Sequence, residues 1–66
     1  MTKKDYQPSP IIVAFDCADM ASATLLAEQL SPNLCRAKVG KELFTACGMP
    51  VVDMLHNKGY EVFLDL

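Results

Sequence analysis

The sequence predicts an α/β fold with a parallel sheet, and three observations lead to it. Strand-like and helix-like segments alternate in the order strand, helix, strand, helix, strand. The first and last strand-like runs are almost continuously apolar, which is typical of parallel strands covered on both faces. A charged residue lies at or near the carboxyl end of each run, where parallel α/β sheets bind their ligands. The pattern therefore predicts both a fold and the position of a site.

The first half of the chain supplies a strand and a helix. The strand is predicted over Ile11–Asp16, a run suited to burial on both faces. Asp19 is expected to cap the helix that follows. Apolar residues recur in this helix at positions i, i+3, i+4 and i+7 and form one buried stripe, consisting of Ala23, Leu26, Ala27 and Leu30. Pro32 ends the helix because it cannot continue it and disfavours helical geometry in the residue before it.

The second strand is predicted over Leu34–Val39 and is shorter and more polar than the first. Gly40 then releases the backbone into a short helix over Lys41–Cys47, which Gly48 stops. These segments carry the second of the three strand-end charges, Lys38.

A further helix is predicted over Pro50–Lys58. Proline is favoured at a first helical position, and Gly59 suits the left-handed residue after the helix. Its buried side is expected to consist of Val51, Met54 and Leu55. The last strand, Tyr60–Leu66, follows, and the connections between parallel strands should be right-handed.

Composition limits the class of protein. A chain of 66 residues holds one small domain at most, here predicted over residues 10–66. Residues 1–9 are polar and are expected to form a flexible lead without an apolar signal core, as in a cytoplasmic protein. A net charge of −2 argues against a nucleic-acid partner. No apolar run approaches the roughly 20 residues of a membrane span.

The three cysteines contain no CxxC pair, and together with His56 they lack the spacing of a zinc site. Reduced, mostly buried thiols are expected, and no metal. His56 lies near the end of a helix, where a surface position is favoured.

Two closures of the sheet fit the pattern, an eight-stranded barrel or an open doubly wound sheet. A dinucleotide-binding sheet carries a glycine-rich turn after its first strand. Here the chain reads Asp16-Cys17-Ala18-Asp19 instead, which favours the barrel.

Asp16, Lys38 and Asp65 are the candidate site residues. On a barrel they would meet at its mouth, where they could hold hydroxyl groups or place fixed charge against a reacting group. Each also has a structural interpretation. Asp16 could cap the next helix, and Lys38 could be a surface lysine. Asp65 interrupts a run suited to burial, and a buried carboxylate needs a partner.

Three stretches resemble the orotidine 5′-phosphate decarboxylase family: IVAFD at 12–16, KVGKELF at 38–44 and GYEVFLDL at 59–66. The resemblance implies the first βαβαβ portion of a (β/α)8 TIM barrel. It also implies a cofactor-free homodimer that converts the nucleotide orotidine 5′-phosphate to uridine 5′-phosphate in de novo pyrimidine biosynthesis. The segment GxxVFLDL following KVGKELF is specific, whereas a lone strand ending in aspartate would not be.

By position, the resemblance implies that Asp16 binds the substrate ribose and that Asp65 is the first catalytic aspartate. Lys38 would bind the ribose side and pair with Asp65. The family's proton-donating lysine lies two residues past this aspartate, beyond Leu66. Its partner-subunit aspartate and its phosphate- and pyrimidine-binding loops lie further on. About a quarter of a barrel is present, so residues 1–66 alone are expected to be inactive.

Two other functions remain open at the level of sequence. Lys38 could act as the amine nucleophile of a Schiff-base lyase or aldolase, or the chain could serve a sugar-phosphate lyase on a related barrel. A non-catalytic fragment could instead insert an exposed strand edge into another chain.

Overall fold

A computed structural model describes residues 11–66, which form three parallel strands and three helices. The strands lie in the order β1-β2-β3, so each strand pairs with the next one along the chain. The elements are β1 (Ile12–Ala14), α1 (Met20–Gln29), β2 (Arg36–Gly40), α2 (Lys41–Cys47), α3 (Met49–Asn57) and β3 (Val62–Asp65). The predicted βαβαβ order and parallel sheet are confirmed, and the lead expected over residues 1–9 lies outside the described residues.

The strands are shorter than predicted. β1 ends at Ala14, although the Phe15 N–H still donates to the carbonyl of Lys38 at 2.9 Å. β2 begins two residues late because the Leu34 N–H donates to the Ser31 carbonyl at 3.0 Å, which closes a turn after α1. The ladder therefore covers the middle of the first and last predicted runs, whereas β2 covers the second part of its predicted run and continues to Gly40.

The helix ends follow the predicted signals. The Asp19 carboxylate accepts a hydrogen bond from the Ser22 N–H at 2.8 Å, and the hydrogen bonds from Ser22 hold the pKa of Asp19 below its ordinary value. Gly48 has a φ of 67° and separates α2 from α3, which begins at Met49 rather than at Pro50. Gly59 has a φ of 93°, as expected for the left-handed residue after α3.

The core lies between one face of the sheet and the helices. Its fully buried members include Ala37 and Val39 of β2 and the helical residues Leu43, Val51 and Leu55. In the α1 stripe only the alanines are buried, and Leu26 and Leu30 pack at its margin. In α3, Val52 is buried where Met54 was expected. The narrow alanine face carries no long side chains, and the element that α1 approaches most closely is α3.

Tyr60 connects α1 to the start of the last strand. It is 3% exposed, and its hydroxyl donates to the carbonyl of Ala27 at 2.7 Å. Its ring meets that of Phe15 edge to face, with the centroids 6.2 Å apart. Ala27 belongs to the last turn of α1, where carbonyls lack helical partners, so this bond satisfies a helix end inside the core.

The opposite face of the sheet is uncovered by the helices of residues 11–66. Ile12 is 43% exposed and Phe63 is 51% exposed. The prediction that the first strand is buried on both faces is therefore wrong for this part of the chain. All three helices pack on the other face, so alternate side chains of each strand point away from the core.

Replacing Tyr60 by Phe should lower the free energy of unfolding by about 1–2 kcal/mol, because the Ala27 carbonyl loses its buried donor. Urea unfolding monitored by circular dichroism measures the change. Leu25→Ala is the control, since Leu25 is 58% exposed on the same helix and should shift the stability by less than about 0.5 kcal/mol. Equal stability of Tyr60→Phe and the unsubstituted protein would contradict a structural role for the hydroxyl.

Candidate active site

Lys38 and Asp65 form an ion pair on adjacent strands, with 3.3 Å between Nζ and Oδ2. Their Cα atoms are not directly opposite, because Lys38 pairs with Phe63 and Asp65 pairs with Gly40. The lysine side chain therefore extends along the sheet by two residues, roughly 7 Å, to reach the carboxylate at the strand end. The predicted contact between these side chains is present, and it lies on the uncovered face of the sheet.

Asp16 lies at the same edge of the sheet. Ala14 pairs with Lys38, and the Phe15 N–H donates to the Lys38 carbonyl at 2.9 Å at the end of this ladder. Asp16 comes next and is exposed. It does not cap α1, since Asp19 does. The structural interpretation of Asp16 as a helix cap is therefore wrong, and the carboxyl edge of the sheet carries two acidic residues and one lysine.

The exposure of Asp65 corrects another expectation. Its side chain is 57% exposed and that of Lys38 is 38% exposed, so the carboxylate is not buried. β3 is an edge strand among residues 11–66, and no element there covers its outer face. An ion pair this exposed contributes little to stability. The ion pair instead fixes where its two opposite charges lie, at one end of the sheet.

These groups suit the recognition of a polar substrate. Carboxylates accept hydrogen bonds from sugar hydroxyls, and an ammonium donates up to three. Charges fixed by a rigid sheet can also stabilise charge that develops during a reaction. Among residues 11–66, no group of His, Cys, Asp and Glu side chains has the geometry of a metal site.

The three cysteines are free thiols, as predicted, but only Cys35 is buried. Cys17 follows Asp16 directly and is half-buried. Burial raises the pKa of the Cys17 thiol, and the negative charges of Asp16 and Asp19, with a smaller effect of Cys47, raise it further. His56 is exposed near the end of α3, as expected.

Two residues of β2 belong to this face but were not singled out from the sequence. Arg36 lies two positions before Lys38, and its Nε is buried without a hydrogen-bond partner among residues 11–66. Gly40 lies two positions after Lys38, directly opposite Asp65. The sequence could have indicated this, because residues at every second position of a strand share one face, as Arg36, Lys38 and Gly40 do.

A sequence profile of the "Orotidine 5'-phosphate decarboxylase / HUMPS family" matches residues 9–66. The chain belongs to this family. The family is built on a TIM barrel, and the parallel β1-β2-β3 sheet with its helices on one face corresponds to the start of that barrel. The predicted fold class is confirmed.

Curated relatives agree with the family. The chain is 60% identical over 58 residues to orotidine 5′-phosphate decarboxylase of Pseudomonas paraeruginosa (strain PA7) and to that of Pseudomonas aeruginosa (strain PAO1). It is 59% identical to the Pseudomonas fluorescens (strain SBW25) protein of the same name. Each match covers 88% of this chain and 25% of the relative. The chain thus spans about a quarter of the length of these decarboxylases.

In the part of this family member that the structure describes, no helix has both the length and the apolar character needed to cross a membrane.

Asp16→Asn should speed alkylation of Cys17 at pH 8, because removing a neighbouring negative charge lowers the pKa of the thiol and raises its thiolate fraction. Iodoacetamide labelling followed by peptide mass spectrometry measures the rate at each cysteine. Asp53→Asn serves as the control, since Asp53 lies on α3 and does not contribute to the pKa of Cys17. An unchanged or slower rate in Asp16→Asn would contradict the placement of the Asp16 carboxylate beside Cys17.

Proposed function

We propose that the chain is the N-terminal part of an orotidine 5′-phosphate decarboxylase, which forms uridine 5′-phosphate in de novo pyrimidine biosynthesis. The observation that carries the proposal is the Lys38–Asp65 ion pair, with 3.3 Å between Nζ and Oδ2, at the edge of the sheet where Asp16 also lies. Membership of the family and the names of the relatives support the same activity.

Asp65 is proposed as a catalytic residue. Its carboxylate would lie close to the carboxylate of the bound substrate, so that two negative charges face each other before the reaction. When the carbon–carbon bond breaks, carbon dioxide leaves as a neutral molecule and the bonding electron pair stays on the pyrimidine ring carbon. The fixed charges of Asp65 and Lys38 would accelerate the reaction by stabilising this separation of charge more strongly in the transition state than in the ground state.

Lys38 is proposed to bind the ribose side of the substrate and to stabilise the charge that develops on the ring. Its ammonium is held by Asp65 and is directed to the carboxyl edge of the sheet. A cation already fixed in place stabilises developing negative charge without reorganisation during the reaction. The lysine that protonates the ring carbon is proposed, as the resemblance implies, to lie two residues after Asp65, beyond residue 66.

Asp16 is proposed to accept hydrogen bonds from the ribose hydroxyls. It is exposed at the carboxyl end of β1, and its carboxylate is not used as a helix cap. Binding energy from a sugar that does not react can position the reacting group, so this contact affects the rate as well as the affinity.

The Schiff-base alternative fits the structure less well. An amine nucleophile is activated by an apolar pocket or by a second cation. Lys38 instead contacts a carboxylate and is 38% exposed. The alternative of a non-catalytic interaction fragment has one observation in its favour, the exposed apolar residues Ile12 and Phe63. In the family's barrel that face is the interior, so closure of the barrel accounts for it.

The proposed enzyme needs no cofactor and acts in the cytoplasm. It would work as a homodimer, because the resemblance implies a second catalytic aspartate from the partner subunit. Residues 1–66 alone would then be inactive. They lack the proton donor, that aspartate and the phosphate-binding loops.

A segment exchange tests the catalytic pair. The 58 matching residues of this chain replace their counterparts in the Pseudomonas aeruginosa decarboxylase, which we refer to as the exchange protein. It should decarboxylate orotidine 5′-phosphate, and Lys38→Ala and Asp65→Asn should each lower kcat by roughly 10²–10³-fold or more. Melting temperatures should change little, because both side chains are more than one-third exposed.

The control for the pair is Lys58→Ala. Lys58 forms a comparable ion pair with Glu28 at 3.5 Å, but between α3 and α1. Its removal should leave kcat unchanged. Full activity of Asp65→Asn in the exchange protein would contradict the role of Asp65, and an inactive exchange protein would contradict the proposed function.

Asp16→Ala in the exchange protein should raise KM and lower kcat, because the ribose would lose a contact that both holds and positions the substrate. Steady-state kinetics separates the two effects. Asp19→Ala is the matched control, since it removes a nearby carboxylate that caps α1. It should lower the melting temperature and leave KM unchanged. If Asp16→Ala also lowered only the melting temperature, a structural role would replace the ribose contact.

A further inference from the structure

Gly40 lies at the centre of the proposed site. It is the last residue of the middle strand and is directly opposite Asp65. Because side chains alternate along a strand, a side chain at position 40 would lie on the same face as Lys38. The ladder between β1 and β2 ends at the pair Ala14–Lys38, and Asp16 follows Ala14 by two residues just as Gly40 follows Lys38. The backbone of Gly40 therefore ends the middle strand, between the strand that leads to Asp16 and the strand that carries Asp65.

The backbone does not require glycine here. Gly40 has φ −90° and ψ −177°, an extended conformation that any residue adopts. A Cβ at this position would meet no atom within 4 Å among residues 11–66. Gly48 and Gly59 differ, because their φ values of 67° and 93° are in the region where side chains are strained. Neither the backbone conformation nor the packing within residues 11–66 explains why residue 40 is a glycine.

Glycine also gives up a stabilising contact at this position. Gly40 is the N-cap residue of α2, and that helix has no side-chain cap. The equivalent position before α1 holds Asp19, whose carboxylate accepts from the Ser22 N–H. Serine and aspartate are favoured N-cap residues because they satisfy an N–H group at the helix start. A side chain at position 40 could therefore stabilise the fold.

We infer that Gly40 is a specificity-determining position, whose missing side chain keeps the space between Asp16 and Asp65 clear for the sugar of a nucleotide substrate. The inference rests on the proposed function, which supplies the ribose. A nucleotide whose ribose reaches Asp16 after one outer strand, and whose carboxylate lies beside Asp65 on the other, must place its sugar over the middle strand. A side chain on that strand, at the same level, would occupy its place.

Substitutions of graded size in the exchange protein test the inference. Gly40→Ala adds the smallest side chain and should raise KM for orotidine 5′-phosphate the least. Gly40→Val adds two further methyl groups and should raise KM roughly tenfold or more, the order of discrimination that a misplaced methylene group produces in a binding pocket. Gly40→Ser should also raise KM, yet its melting temperature should equal or exceed that of the unsubstituted protein because the hydroxyl can cap α2.

Gly59→Ala is the matched control. Its φ of 93° makes a side chain strained, so this variant should lose thermal stability and keep its KM. A KM for Gly40→Val within twofold of the unsubstituted value, in an exchange protein that turns over, would overturn the inference and leave the proposed function intact. Loss of activity that follows loss of melting temperature across the Gly40 series would also overturn it. Absence of turnover in the unsubstituted exchange protein would contradict both the inference about Gly40 and the proposed function.

Discussion

The parallel register of β2 and β3 is the constraint on which the site depends. It sets Lys38 opposite Phe63 and Gly40 opposite Asp65. The lysine therefore starts two residues before the level of the carboxylate that it contacts. A shift by one residue would move Asp65 to the other face, because the side-chain period of a strand is two. The ion pair is therefore a consequence of the strand pairing, and its exposure makes it a weak contributor to that pairing.

What maintains the register is the packing on the opposite face. Ala37 and Val39 alternate with the site residues of β2 and are fully buried under the helices. Tyr60, just before β3, is anchored to the end of α1 through the Ala27 carbonyl and packs against Phe15. Packing on the apolar face thus fixes the positions of the strands, and these positions determine where the polar side chains of the opposite face lie. This division allows substitutions in the proposed site to change chemistry with little effect on the fold.

The uncovered face combines polar groups with exposed apolar ones. Phe63 and Ile12 lie on the side of Lys38, and the Nε of Arg36 is buried there without a partner among residues 11–66. In a closed TIM barrel this face is the interior, where strands absent from this segment would cover the apolar groups. Polar groups on such a face reduce the apolar area that can be buried. Gly40 also lowers the stability of the fold at this end of the sheet, because it leaves α2 without a side-chain cap.

The sequence alone was sufficient for features that depend on near neighbours. Helix caps, glycine stops and the succession of strands and helices along the chain depend on residues a few positions apart, so Asp19, Gly48 and Gly59 were predicted in the roles that they have. The family was recognisable from KVGKELF and GYEVFLDL. Contacts between distant residues were predictable only in part: the Lys38–Asp65 pair was expected, but the exposure of Asp65 and the position of Gly40 opposite it were not. Those features depend on register and on which face the helices cover, and both are decided by packing between residues far apart in the chain.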